Sequence, residues 1–223
     1  MSEEPLNKTS GIAEPELLLE ARDITIWRGD NLLMDEINVQ VRSGSIIQIQ
    51  GTNGSGKTTL LRALIGLAEF DEGEVFWMGK PFHKSRDALY SELLYLGHKP
   101  GISPGLTPLE NIQALCPELG ADARDQVEEI LGELAIADRI DLPSAALSAG
   151  QKRRIALARL RLQEARLWVL DEPLTSLDTN GYAWVREQIQ RHVEAGGAVV
   201  FTTHQAISFE PLTAESIVLG GEL

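Results

Sequence analysis

Among its 223 residues the chain has a single cysteine, Cys116, so no disulfide can form within it. Its framework must rest on packing, and the composition suits a reducing compartment. Long apolar runs are also missing: no stretch reaches the ~18 consecutive apolar residues of a membrane-spanning helix. Positive charge is scarce, with 20 Lys and Arg against 33 Asp and Glu and a formal net charge of −13. A protein that grips nucleic acid through its phosphates shows the opposite balance, so direct nucleic-acid binding is not expected. The opening MSEEPLNKTSGIAEPE lacks the basic start and apolar segment of a secretory signal. Polar and interrupted by two prolines, residues 1–16 are expected to be a disordered tail. The expected location is cytoplasmic.

What is present is enough apolar material for a core, 43% of residues, in one domain over 17–223. LLLEARDITIW, INVQV, SIIQIQ, GEVFW and LLYLG are strand-length pieces rich in β-branched and apolar residues. TPLENIQAL and DARDQVEEILGELAI read as helices, the second with Val127, Ile130, Leu131 and Leu134 on one stripe. LWVL and GAVVFTT are uninterrupted apolar runs of the kind buried on both faces of a parallel sheet, and residues 180–195 between them have a helical pattern. The pattern predicts an α/β fold with a mixed, largely parallel sheet and a helical subdomain inserted over about 98–162.

Between the strand SIIQIQ and the helix-prone TTLLRALIGL lies GTNGSGKT, residues 51–58, which matches the phosphate-binding pattern G-x-x-x-x-G-K-[ST] in its proper context. Gly51, Gly54 and Gly56 let the backbone curl so that its N–H groups, with those of Thr52, Asn53, Ser55 and Thr59, face phosphate oxygens at a helix N-terminus. Lys57 is expected on the β- and γ-phosphates of ATP, and the Thr58 hydroxyl on Mg²⁺. The alternative is an ordinary glycine-rich strand-to-helix turn. LWVLDEP adds Asp171 at a strand's carboxyl end as a second Mg²⁺ group. Glu172, the next residue, can act as the base that polarises attacking water. Read alone, Asp-Glu before a proline is equally a helix-capping pair.

LSAGQKRRIALARL opens a helix at a Ser-Ala-Gly turn, where Ser148 can cap the helix and the Gly150 N–H can face an anion. One nucleotide does not need two such termini from one subunit, whereas a head-to-tail dimer does. The plainer alternative is a capped surface helix with Lys-Arg-Arg as a solvated face.

Taken in order, GTNGSGKTT, LSAGQ, LWVLDEP, SLD and TTHQ resemble the motifs of the ATP-binding cassette subunit of ABC transporters, over nearly everything from Leu17 onward. The resemblance implies a P-loop NTPase fold, Mg²⁺ and ATP as cofactors, a homodimer formed on ATP and integral-membrane transporter partners. It makes Glu172 catalytic and sets His204 of TTHQ on the γ-phosphate side. It gives Asp178 of SLD to a dimer-contact loop, and Trp27 to an adenine-stacking ring. An aromatic at a sheet edge is the simpler account of Trp27.

His98, in YLGHKPGISP, stands where the family usually has a glutamine that touches the metal and the attacking water. An imidazole cannot accept and donate through one amide group as Gln does. The stretch GHKPGISPGLTPLENI further resembles the ATPase of the cytochrome c maturation haem exporter. This implies a peripheral subunit on the cytoplasmic face of the inner membrane that powers haem handling for periplasmic cytochrome c. A soluble ABC ATPase acting on nucleic acid or ribosomes, and a cassette for another cargo, are the rival readings. A GTPase is disfavoured because no Asn-Lys-x-Asp follows the phosphate loop.

Overall fold

The computed structural model describes residues 14–120, 122–175 and 177–220. Its first strands, β1 (Leu17–Arg28) and β2 (Asn31–Arg42), form an antiparallel hairpin around Gly29, whose φ of 60° is cheap only for glycine. β4 (Glu72–Trp77) pairs antiparallel with the other side of β1, and the short β5 (Lys80–Pro81) follows it, giving a sheet of order β2-β1-β4-β5. The second sheet is parallel throughout: β3 (Ile46–Gly51), β6 (Leu93–Leu96), β7 (Leu167–Leu170), β8 (Ala198–Thr203) and β9 (Ala214–Leu219), in the order β6-β7-β8-β3-β9. The expected α/β class holds, with the antiparallel and parallel pairings divided between two sheets.

The apolar runs LWVL and AVVF are buried on both faces, and their alternation assigns each face. Leu167, Val169, Ala198 and Val200 pack with Leu18, Ile24, Val39, Leu60 and Leu64, which joins the parallel sheet to the antiparallel one around α1 (Lys57–Leu64). Trp168, Leu170, Val199 and Phe201 turn the other way, toward Val185 and Ile189 of α7 (Thr179–Glu194). Between β6 and β7 run α3 (Pro108–Leu115), α4 (Arg124–Glu133), α5 (Ala149–Leu157) and α6 (Arg159–Leu162). The stripe Val127, Ile130, Leu131 and Leu134 is buried as its spacing predicts. Three of these elements are additional to the sequence reading: the two-residue β5, α2 (Phe82–Ser91) and the edge strand β9.

Residues 1–13 of the expected tail lie outside the described residues. Glu16, assigned to that tail, donates its N–H to Ser43 Oγ at 2.9 Å and pairs with Arg166.

Candidate functional site: the carboxyl edge of the parallel sheet

Because β7, β8 and β3 are parallel neighbours, the residues that follow their carboxyl ends meet at one edge. Gly51 ends β3, Asp171 follows β7 and His204 follows β8. The strand order alone therefore brings together segments more than 100 residues apart, at the edge where such sheets take ligands.

The loop after β3 turns through Gly54 and Gly56 at φ of 85° and 93°, and Gly56 is the N-cap of α1. A Cβ on Gly51 would stand 2.7 Å from the Leu219 carbonyl oxygen, and one on Gly56 would stand 2.5 Å from Met34 Cε. Backbone crowding therefore requires glycine at 51, whereas at 56 the Met34 tip could move aside and it is the φ of 93° that favours glycine. Lys57 is buried and donates to Gly51 O (2.8 Å) and Thr52 O (3.0 Å). Its ammonium also lies 3.3 Å from His204 Nδ1. The Ser55 hydroxyl is buried without a hydrogen-bond partner. A phosphate oxygen entering the loop would supply an acceptor for this hydroxyl. A cleft of about 410 Å³ opens over this loop, lined among others by Arg28, Asn53, Lys57, Thr58, Arg62 and Glu172.

Asp171 is fully buried. The Thr58 hydroxyl lies 3.0 Å from each of its carboxylate oxygens, and Thr202 Oγ1 donates to Oδ1 at 2.7 Å. Thr202 Oγ1 accepts in turn from the Glu172 N–H at 2.8 Å. Thr202 thus holds both acidic residues, a role the sequence reading missed; its only signal was its place two residues before His204 at the end of a buried strand.

Glu172 has φ of 50°, an uncommon value for a side-chain-bearing residue. Such outliers gather where function demands them. Its Oε1 is 2.9 Å from His204 Nε2. An ammonium can only donate, so the Lys57 contact makes His204 Nδ1 an acceptor and leaves the proton on Nε2, the nitrogen beside Glu172. One tautomer satisfies both contacts. His98 Nδ1 stands 4.0 Å from the other oxygen of Glu172 on a side chain that is 73% exposed. It is beside the carboxylate, beyond hydrogen-bond reach.

The Ser148 turn is built as the sequence suggests. Ser148 caps α5, its Oγ accepting from Gln151 N–H at 3.2 Å while Gln151 Oε1 accepts from Ser148 N–H at 2.9 Å. Ser148, Ala149 and Gly150 are all exposed. Asp178 caps α7 by accepting from Gly181 N–H at 3.0 Å, and its other oxygen accepts from Arg154 at 2.8 Å. The Gly181 N–H, then the nearby Arg154 guanidinium, hold this carboxyl below its ordinary value. Ser176, of the same SLD segment, lies outside the described residues.

Trp27 is 47% exposed near the end of β1, beside Arg28 of the cleft. The two arginines of the Lys-Arg-Arg of α5 are not merely solvated. Arg153 reaches three carbonyls of the site (Gly97, Asp171 and Glu172) and Arg154 the Leu134 carbonyl. A larger cleft, about 650 Å³, opens around Trp168 and His192 at the amino ends of β7 and β8. It is remote from these groups.

The ABC transporter family model matches residues 34–175, which includes the phosphate loop, the Ser148 turn and Asp171-Glu172. The chain belongs to the ABC transporter family. Membership carries ATP binding and ATP hydrolysis coupled to transport. The chain is 45% identical over 206 residues to a cytochrome c biogenesis ATP-binding export protein CcmA of Salmonella paratyphi A, covering 92% of this chain and 98% of the relative. It is 48% identical over 193 residues to the CcmA of Pasteurella multocida, covering 85% and 89%. An ABC transporter ATP-binding protein from Pyrococcus furiosus superposes with a TM-score of 0.74 at 22% identity, over 90% of this chain and 96% of that one. That last likeness bears on the fold alone. Among the described residues no helix is long and apolar enough to cross a membrane.

Proposed function

We propose that this chain is the ATP-hydrolysing subunit of a membrane complex that handles haem for cytochrome c biogenesis, bound peripherally at the cytoplasmic face of the inner membrane. The cassette spans 17–223 behind a tail over 1–16, with a helical subdomain over about 98–162. The names of the relatives, which pair cytochrome c biogenesis with ATP-binding export, support a role in export for that process. The observation that carries the ATPase reading is the linked row of Lys57, His204 and Glu172, with steps of 3.3 and 2.9 Å, beside the Thr58–Asp171 pair.

Phosphates settle on the N–H groups of residues 51–59, and Lys57 leaves the Gly51 and Thr52 carbonyls for the β- and γ-phosphate oxygens. Mg²⁺ supplies charge neutralisation to those phosphates when bound, and Thr58 and Asp171 are the protein groups that would hold it. A Mg²⁺ that keeps water and phosphate ligands is usually held by only one or two protein groups. Glu172 takes the proton of the attacking water, oriented by His204 on one oxygen and with His98 facing the other. Trp27 stacks on adenine.

Two subunits join head to tail on ATP, and the exposed Ser148 and Gly150 of each close over the nucleotide of the other, with Asp178 at the contact. The openness of this turn supports the arrangement. Integral-membrane subunits dock beside the His98 loop, and nucleic acid is not a partner. The test is complementation. Ser148→Arg and Lys57→Ala are each expected to lack ATPase activity, while a mixed dimer of the two regains one intact composite site. No recovery in verified mixed dimers contradicts the head-to-tail arrangement.

A further inference from the structure

α5 presents the Ser148 turn at its N-terminus. Five residues later, about 7.5 Å along the helix axis, its Arg153 turns inward. The guanidinium donates from Nη1 to Gly97 O at 2.9 Å, and from Nη2 to Asp171 O at 3.0 Å and Glu172 O at 3.1 Å. Gly97 is the residue before His98, so a single side chain joins the His98 loop to the Asp171-Glu172 turn. It also borders a pocket of about 230 Å³ that lies between His98, Gly150 and Glu172.

The Glu172 backbone needs such support. Its φ of 50° is sparsely populated for a residue with a side chain. Its N–H is held by Thr202 and its C=O by Arg153, so both sides of the strained residue are fixed. Burial pulls the Arg153 guanidinium below its ordinary value while the Asp171 and Glu172 carboxylates oppose that shift. It remains a cation at neutral pH, and its planar fork suits several carbonyls at once in a way a lysine ammonium does not. Arg154 binds the other flank of the helix to Asp178 and to Leu134 O, so α5 moves with the loops on both sides.

We infer that Arg153 is a positioning residue for Glu172 and His98 of its own subunit, so that one helix serves two nucleotides: its Ser148 turn the partner's, its Arg153 its own. This rests on the head-to-tail reading for the first half only.

The first test uses the uniform variants. Arg153→Met, which keeps the buried volume, is expected to lower kcat about 10–100-fold, the scale of a misplaced catalytic group. The KM for ATP and ATP binding to the isolated subunit should stay within about twofold, since no phosphate contact is touched. Arg153→Lys should recover part of kcat. A wild-type kcat in Arg153→Met, or loss confined to KM, overturns the inference.

The second test separates a cis role from a general effect on α5. Mixed with Ser148→Arg, Arg153→Met should regain activity, because the surviving site uses the Glu172 of the Ser148→Arg subunit and the intact turn of the other. Mixed with Lys57→Ala it should stay at or below the low Arg153→Met rate, because the only intact phosphate loop then lies beside the unsupported Glu172. The reverse pattern would show that Arg153 acts through the turn and overturns the cis assignment. Mixing Ser148→Arg with Lys57→Ala is the control. Failure of that control counts against the dimer reading, and the kcat comparison still decides the role of Arg153.

Discussion

Removing one hydroxyl should weaken both acidic residues of the site at once. Thr202 is fully buried, donates at 2.7 Å to Asp171 Oδ1, and accepts at 2.8 Å from the Glu172 N–H. Thr202→Val has nearly the same shape and neither bond. A hydrogen bond to a charged group contributes about 1.5–3 kcal/mol, and a buried donor left without a partner costs about 1–3 kcal/mol. The two losses share one oxygen and do not simply add, so about 3 kcal/mol is a fair expectation. For a chain of this size that lowers Tm by about 6–12 °C. Freed at its N–H, Glu172 can leave its left-handed backbone conformation, and kcat should fall about 10–100-fold. Differential scanning calorimetry and steady-state ATPase assays measure the two effects. Thr202→Ser keeps the hydroxyl and should restore most of both. Thr203→Val is the local control, since that hydroxyl donates to Gln205 O at 2.8 Å, outside the acidic pair. Wild-type Tm and kcat in Thr202→Val would refute the claim that this hydroxyl organises the site.

Gly51→Ala should abolish nucleotide binding, because its Cβ would meet the Leu219 carbonyl at 2.7 Å, whereas Gly54→Ala has open space and incurs only backbone strain at φ of 85°. Equilibrium binding of a fluorescent ATP analogue to both variants distinguishes them. His98→Gln should retain most ATP hydrolysis in the assembled complex and His98→Ala less; equal, wild-type behaviour of both would make His98 a bystander beside Glu172. Burial pushes the His192 imidazole, stacked 3.9 Å from Trp168, down to about 4. The unfolded chain therefore binds a proton at higher pH than the folded one. Stability from this group is complete above about pH 6.5 and is lost as pH falls toward 4. Chemical denaturation from pH 7 to 4.5 should show that slope in the wild type and a flatter one in His192→Phe.

Local signals made much of the molecule legible. The phosphate loop could be read because its whole geometry lies in eight consecutive residues between a strand and a helix. LWVL and AVVF were recognisable because strands covered on both faces have no polar side. The long helix predicted over 180–195 differs by one residue at each end from α7. What could not be read depends on partners distant in the chain. β9 has little pattern of its own, being an exposed edge with Glu215 and Val218 facing solvent, and it is defined by its ladder with β3. Arg153 was read with a polar face because its partners are backbone carbonyls 56, 18 and 19 residues away, and a carbonyl leaves no trace in residue identity. Division of the strands into two sheets is likewise a matter of pairing, which strand-by-strand patterns do not record.

The role of Glu172 is the centre of the account, and one substitution addresses it. Glu172→Gln keeps the size and the backbone contacts while removing the base. Turnover of Mg²⁺-ATP by the purified protein should fall about 10²–10⁴-fold, with ATP affinity retained and a stable ATP-bound dimer visible by size exclusion with multi-angle light scattering. Near-normal hydrolysis by this variant would contradict the assignment of Glu172 as the base and with it the chemistry proposed for the site.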